Sequence, residues 1–99
     1  MTDRTGWIVR SVAGHDKHEL FCVVGEHAAD GRLLLANGKQ RKAASPKLKK
    51  PGHVQTLDRG AFEHPVIRKL QNKETVSDRE LRSALAAFKG GNEAWQKTI

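Results

Sequence analysis

Turn-forming residues divide the first part of this chain into pieces too short for ordinary helices. Gly14, Gly31 and Gly38 each follow a small or polar residue, and Pro46 and Pro51 come after them. Gly31 and Gly38 leave only six residues between them, and these include Leu33-Leu34-Leu35. A stretch of that length fits a strand better than a helix, although Leu is a fair helix former. The spacing of the turns therefore predicts a fold of short β-strands.

The predicted strands number five and are joined by tight turns. They lie at residues 6–12, 20–24, 33–35, 39–45 and 53–57. Asn37-Gly38 is the strongest hairpin signal, because both central residues of a type I′ turn need φ > 0. It predicts a hairpin leading into a basic strand at 39–45, with a basic loop at 47–52. Five short strands over residues 1–58 are typical of a small SH3-like barrel.

The second part of the chain, residues 59–99, is predicted to add two short helices packed on the barrel. Pro65 suits the first position of one helix. Ser77 and Glu80 form the capping box of the other. Apolar residues of this second helix recur at helical spacing, namely Leu81, Ala84, Leu85 and Phe88. The fold class is therefore mainly β with an α tail, and the last residues are expected to fray unless Trp95 anchors them.

Positive charge is concentrated in one segment. Residues 31–57 hold seven of the 18 Lys and Arg residues and no Asp or Glu. The other 11 cations equal the 11 acidic residues in number, so the net charge of +7 belongs to this segment. Such a local excess points to a polyanionic partner, most simply RNA. Trp7, Phe21 and Phe88 fall in apolar patterns and are predicted to be core, which favours recognition of structured RNA by shape and phosphate.

The sequence contains no pattern that indicates catalysis. It lacks a phosphate-binding glycine loop and a dinucleotide fingerprint, and no nucleophile is paired with a base in a recognisable way. His15, His18, Cys22 and His27 do not have the spacing of a structural zinc site. Cys22 lies in an apolar run and is predicted to be a small buried hydrophobe. We therefore expect no enzyme activity, cofactor, metal or small-molecule substrate.

The predicted compartment is the cytoplasm. No apolar run is long enough to span a bilayer, and the N-terminus lacks the hydrophobic region of a signal peptide. Binding to a membrane surface usually requires an amphipathic helix with a basic face. Gly38, Pro46 and Pro51 interrupt the basic segment and make one long helix unfavourable. A membrane is therefore not among the expected partners.

Two sequence stretches carry a resemblance to a known family. Residues 6–17 read Gly-Trp-Ile-Val-Arg-Ser-Val-Ala-Gly-His-Asp-Lys, and an apolar run follows at 20–24. This pattern resembles the KOW-domain family of ribosomal and translation-associated proteins. Gly14 matches the turn glycine of that family and Lys17 matches its basic position. His18 is a departure, because the family often has glycine there.

A narrower resemblance comes from the rest of the chain. Its residues are 36–42, 45–47, 53–54 and 77–82, which read Ala-Asn-Gly-Lys-Gln-Arg-Lys, Ser-Pro-Lys, His-Val and Ser-Asp-Arg-Glu-Leu-Arg. They are similar to small bacterial KOW-domain RNA-binding proteins, which themselves resemble a large-subunit ribosomal protein of archaea and eukaryotes. The resemblance implies an SH3-like barrel, binding to RNA or the ribosome, and no catalysis.

The residues predicted to contact RNA lie in the basic segment and in the turn at Gly14. They are His15, Lys17, Arg32, Lys39, Arg41, Lys42, Lys47, Lys49, Lys50 and His53. Lysines near phosphates release condensed counterions, and the entropy of this release drives binding. The planar fork of Arg41 makes it the best candidate for a bidentate contact. A histidine can stack on a base or donate a hydrogen bond.

Three interpretations of function are open at this point. The leading one is an RNA-binding module of the translation apparatus, with ribosomal or other structured RNA as its partner and ribosomal proteins as further contacts. The alternative is a protein-interaction module of the transcription or translation machinery, since SH3-like barrels also bind peptides. The third is a DNA-binding protein, which differs from the first in the duplex geometry it would prefer.

Overall fold

A computed structural model describes residues 3–91, so the prediction for Trp95 lies outside the described residues. The elements in chain order are β1 (Ile8–Ser11), β2 (Leu20–Glu26), β3 (Leu33–Ala36), β4 (Lys47–Lys49), a 3₁₀ turn (Pro51–His53), β5 (Val54–Asp58), α1 (Pro65–Gln71) and α2 (Asp78–Gly90). This confirms the predicted five strands followed by two helices. Neither helix is long and apolar enough to cross a membrane, as far as the described residues go.

The strands form one antiparallel sheet in the order β4-β3-β2-β1-β5. The pairing has irregularities between Ile8 and Val9 in β1 and between Val23 and Gly25 in β2. Such bulges bend a strand and increase its twist. Within residues 3–91 the edge strands β4 and β5 share no hydrogen-bonded ladder, so the sheet is open.

The fourth strand lies later in the chain than the sequence pattern predicts. Residues 39–45 form a loop where we predicted a basic strand, and Lys47–Lys49 is a strand where we predicted a basic loop. The cause is Asn37, whose Oδ1 accepts hydrogen bonds from the backbone N–H groups of Lys39 and Arg41 at 3.0 and 3.1 Å. This side chain stabilises a longer turn in place of the two-residue hairpin.

Both helices begin where the capping signals predict. Pro65 is the first residue of α1, and Nδ1 of His64 accepts a hydrogen bond from the Val66 N–H at 3.2 Å. At the start of α2, the Ser77 hydroxyl accepts from the Glu80 N–H at 3.1 Å, and the Glu80 carboxylate accepts from the Ser77 N–H at 2.9 Å. The capping box is therefore complete and satisfies two backbone N–H groups.

One face of the sheet packs against both helices. Its cluster of buried side chains comprises Ile8, Leu20, Cys22, Ala36, Val66, Ile67, Leu70, Val76, Leu81, Ala84, Leu85 and Phe88. Cys22 is fully buried here, and burial raises the pKa of its thiol to about 12. The thiol therefore stays neutral and packs as a small hydrophobe, as predicted.

The other face of the sheet is buried as well. Its cluster comprises Val9, Phe21, Val23, Leu33 and Leu35, all at most 1% exposed, with Trp7 and Val54 packed against it. No described helix residue belongs to this cluster, so the strands and their loops must enclose it themselves.

The connection between the two edge strands shows how this enclosure is achieved. A flat sheet of five strands would hold its edges about 19 Å apart. The chain passes from Lys49 to Val54 through residues 50–53. Those five steps reach about 17 Å when fully extended, and the 3₁₀ turn shortens them further. The sheet is therefore strongly curled over its second cluster.

Candidate nucleic-acid interface

Antiparallel pairing gathers the loops of the sheet at two opposite ends. One end carries the loop 12–19 between β1 and β2 and the loop 37–46 between β3 and β4. Strand β4 finishes at the other end, where Lys49 pairs with Leu33, and residues 50–53 return the chain to the first end, where the His53 carbonyl accepts from the Val12 N–H at 3.0 Å. We call this first end the basic end. The opposite end carries residues 3–5, the segment 26–32 and Asp58, and we call it the acidic end.

An ion pair joins the two loops of the basic end. The Nε and Nη2 atoms of Arg41 donate to Oδ2 of Asp16 at 3.1 and 2.8 Å. Asp16 is only 6% exposed, so its carboxylate is shielded from solvent. Arg41, the best candidate for a bidentate RNA contact in the sequence analysis, thus pairs with a carboxylate of its own chain, 25 residues away.

A second cross-link connects β4 to the same loop 12–19. Lys49 is 8% exposed, and its Nζ donates to the backbone carbonyl of Ala13 at 2.7 Å. Lys49 pairs with Leu33 in the sheet, so its aliphatic stem lies on the face of the second cluster. This lysine therefore supports the turn at Gly14 from within the fold and does not face solvent.

Helix α2 anchors the loop 37–46 from the other side. The Asp78 carboxylate accepts from the Ala43 N–H at 2.7 Å, and Nη1 of Arg82 donates to the Gly38 carbonyl at 2.7 Å. Gly38 has φ +77°, and a Cβ there would lie 2.3 Å from the Asp78 carbonyl oxygen. Conformation and space both require glycine at this position. Helix α2 thus anchors the loop at two points, Gly38 and Ala43.

Five exposed lysines remain around these cross-links. Their side chains make no hydrogen bond or ion pair with any part of residues 3–91. They are Lys17, Lys39, Lys42, Lys47 and Lys50. Each lies one or two residues along the chain from Asp16, Arg41 or Lys49. The ion pair between Asp16 and Arg41 brings Lys17, Lys39 and Lys42 together at the basic end, while Lys47 and Lys50 lie on either side of Lys49 along β4. We call these five lysines the basic surface.

Arg32 belongs to the acidic end, although the pairing of its neighbour Leu33 with Lys49 places it beside Lys50. Its Nε donates to Oδ2 of Asp30 at 2.8 Å, and its backbone N–H donates to Oδ1 of the same residue at 3.1 Å. These hydrogen bonds lower the pKa of the Asp30 carboxyl. The register brings Arg32 near Lys49 and Lys50, but Asp30 already pairs with its guanidinium.

Two other acids of the acidic end, Glu26 and Asp3, also pair with cations. The Arg4 guanidinium donates to both carboxylate oxygens of Glu26 at 3.1 Å and lowers the pKa of that carboxyl. The Lys73 ammonium donates to Asp3 at 2.8 Å and lowers the pKa of Asp3 to about 2. The cations Arg4, Arg32 and Lys73 are therefore each paired with an acid of the same chain.

The predicted histidines lie at the basic end. His15 and His53 are exposed, and the His53 carbonyl accepts from the Val12 N–H at 3.0 Å. His18 has φ +77°, a left-handed conformation that favours glycine. It is the position at which the KOW family often has glycine. Residues 3–91 contain no cluster of three or more His, Cys, Asp or Glu side chains able to hold a metal.

Two features of the interface had no signal in the sequence. Asp16 looks like an ordinary turn residue, yet it holds Arg41 in place. Arg79 and Arg82 are exposed on α2 beside the loop 37–46, because Asp78 contacts that loop directly. Local patterns do not reveal such contacts, since they depend on how α2 docks on the sheet.

Comparison with known proteins does not assign a family. No protein-family model matches this chain, and no curated protein matches it either. The resemblance to the KOW-domain family therefore depends on the residues quoted above and stays a hypothesis.

Proposed function

We propose that this protein binds structured RNA through the basic surface and acts as a cytoplasmic module of the translation apparatus. The observation that carries the proposal is the set of five exposed lysines without an intramolecular partner in the described chain. A cation already paired with a carboxylate gains little from a phosphate, whereas an unpaired lysine releases a counterion from RNA when it binds.

The arrangement of the lysines favours a phosphate backbone over a small ligand. They lie on two loops, on β4 and in the segment after β4, and therefore cover an extended surface. The ion pair between Arg41 and Asp16 and the bond from Lys49 to Ala13 fix the loops before any partner binds. Preorganised groups lose less conformational entropy on binding, so the same charges yield higher affinity.

The proposal includes a finer description of the fold, a small SH3-like barrel of the KOW type. The curled sheet supports this description, since it encloses the second cluster without a helix in the described residues. The positions that carry the KOW resemblance, Gly14 and Lys17, lie at the basic end together with Lys39 and Lys42. A backbone φ of +79° at Gly14 agrees with the turn glycine that the resemblance implies.

The experiment is a salt titration of binding to an RNA hairpin. If all five lysines contact phosphates, log K should fall with log salt with a slope of about −4. The triple variant Lys39→Gln, Lys42→Gln, Lys47→Gln should reduce the slope to about −2, since each lost phosphate contact removes nearly one unit. The matched control is Arg59→Gln, Arg68→Gln, Lys73→Gln, which removes the same charge outside the basic surface and should change the slope far less.

Two further measurements distinguish RNA from DNA and from a protein as the main partner. Equal affinity for B-form DNA and A-form RNA duplexes of one length would favour a general nucleic-acid binder. A slope near zero, with sedimentation on ribosomes unchanged in the triple variant, would reject the electrostatic mechanism and favour a protein contact.

A further inference from the structure

A cleft of about 190 Å³ opens between α2 and the two loops of the basic end. Leu20, Leu85 and Ala86 supply its apolar lining. Leu20 and Leu85 are each 5% exposed and belong to the main core, so this part of the lining is rigid. Ala86 is exposed on α2, and its small side chain leaves the cleft open.

Four of the polar side chains around this cleft, those of Glu19, Lys39, Gln40 and Arg82, have unused hydrogen-bonding capacity. Within residues 3–91, neither the Glu19 carboxylate nor the Lys39 ammonium takes part in a hydrogen bond or ion pair. The Gln40 Oε1 accepts from Asn37 at 3.0 Å, which leaves the Gln40 amide nitrogen available as a donor. Arg82 uses Nη1 for the Gly38 carbonyl and keeps its other donors. Cation, acceptor and donor groups therefore converge on one small opening that is lined in part by apolar side chains.

We propose that this cleft receives one unpaired nucleotide of the bound RNA, an inference that depends on the proposed function. An apolar lining suits the face of a base, while Lys39 and Arg82 suit its phosphate. Glu19 and the Gln40 amide can accept from and donate to the polar edge of the base. The cleft is continuous with the basic surface through Lys39, so a backbone lying on that surface brings nucleotides to its entrance.

The carboxylate of Glu19 gives the cleft a preference among bases. A carboxylate accepts hydrogen bonds from exocyclic amino groups, as in its pairing with cytosine N4. Adenine, cytosine and guanine carry such a group and uracil does not. A bulged uridine should therefore bind less tightly than a bulged adenosine, and Glu19→Gln should reduce this difference.

The test uses three RNA hairpins that differ at one position of the stem. One stem has a single bulged adenosine, the second has an abasic nucleotide at the same place, and the third is uninterrupted. The abasic RNA keeps the backbone and its bend but lacks the base. The native protein should bind the adenosine bulge about tenfold more tightly than the abasic bulge, the range of a stacked base.

A variant that fills the cleft provides the second arm. Ala86→Phe adds no charge and should remove the tenfold difference between the adenosine and abasic bulges, while binding to the uninterrupted stem is retained. Ala87→Phe is the matched control, because Ala87 is also exposed on α2 but does not line the cleft. Thermal melts of both variants report whether they fold.

The outcomes separate this inference from the proposed function. If native protein binds adenosine and abasic bulges equally while it binds all three hairpins in a salt-dependent way, the cleft does not hold a base and the RNA-binding proposal stands. If it binds none of the three, both proposals are wrong.

Discussion

The two ends of the curled sheet carry similar residue types but differ in how many of their cations pair with acids of the same chain. At the acidic end, Arg32 is matched by Asp30 and Arg4 by Glu26. At the basic end, the buried Asp16 pairs with Arg41, and no acid pairs with any of the five lysines in the described chain. Availability for a partner therefore depends on pairing within the fold, which a count of charges along the sequence does not report.

The basic segment itself illustrates this lesson. Three of its seven cations are used inside the molecule, namely Arg32, Arg41 and Lys49. Lys17 lies outside the segment and joins the basic surface because its loop is linked to Arg41 through Asp16. The proposed polyanion-binding surface thus lacks three cations of the basic segment and gains Lys17 from outside it.

The largest expected difference between the two ends concerns their turn glycines. Gly38→Ala should lower the free energy of unfolding by about 3 kcal/mol, because it combines a left-handed φ with a clash against the Asp78 carbonyl. Gly31→Ala at the acidic end shares the positive φ but has no neighbour within 4 Å and should cost about 1 kcal/mol. Urea denaturation of both variants checks this, and equal costs would contradict the docking of α2 on the loop 37–46.

The ion pairs of the two ends should also differ in strength. Asp16→Asn should lower the free energy of unfolding by about 1 to 2 kcal/mol, since it leaves the partly buried Arg41 without its counter-charge. Asp30→Asn removes an exposed pair, and its side-chain oxygen can still accept from the Arg32 N–H, so it should lower the denaturation midpoint far less than Asp16→Asn. If the two substitutions have the same effect, Asp16 is not the link that holds the loops.

The acidic end predicts how stability responds to acid. The Arg4 guanidinium lowers the pKa of Glu26, the backbone N–H and then the guanidinium of Arg32 lower that of Asp30, and Lys73 lowers that of Asp3 from 3.8 to about 2. A carboxyl with a lower pKa in the folded state stabilises the fold above its unfolded pKa. For Asp3 this stabilisation should be complete above pH 3.8 and lost as the pH falls toward 2.

Two measurements check this expectation. The urea midpoint should fall as the pH is lowered from 4 toward 2, with these three acids contributing no change between pH 7 and 5. In Lys73→Met, the carboxyl resonance of Asp3 should titrate closer to the ordinary value of 3.8. An unchanged Asp3 titration would show that Lys73 is not the main cause.

The smallest expected effect is at His18. Its φ of +77° costs a residue with a side chain more than it costs glycine, so His18→Gly should raise the free energy of unfolding by about 0.5 kcal/mol. His15→Gly, in the same loop but without a positive φ, is the control and should lower it. Thermal unfolding of the two variants gives the sign directly.

Local signals predicted most elements of the fold. The capping box at Ser77 and the first position at Pro65 were correct because both are set by neighbouring residues. The hairpin at Asn37-Gly38 was wrong in length, although Gly38 does adopt the positive φ expected of it. The sequence pattern treated Asn37 as part of a turn and did not reveal that its side chain caps a longer one.

The site was harder to predict than the fold. Lys49 and Lys50 are adjacent and chemically identical, yet one is 8% exposed and the other faces solvent. The difference comes from the carbonyl of Ala13, which lies 36 residues earlier in the chain and receives the Lys49 ammonium. Such partners are set by sheet curvature, which no periodic pattern encodes.

Separation of the two ends also has a consequence at long range. Because the five lysines without an intramolecular partner in the described chain lie at or near the basic end, the centre of their charge lies away from the centre of mass. The field of a polyanion would therefore rotate the approaching molecule before first contact, so that most encounters begin with the correct side forward. Orientation during diffusion, in addition to attraction, would then raise the association rate at low ionic strength.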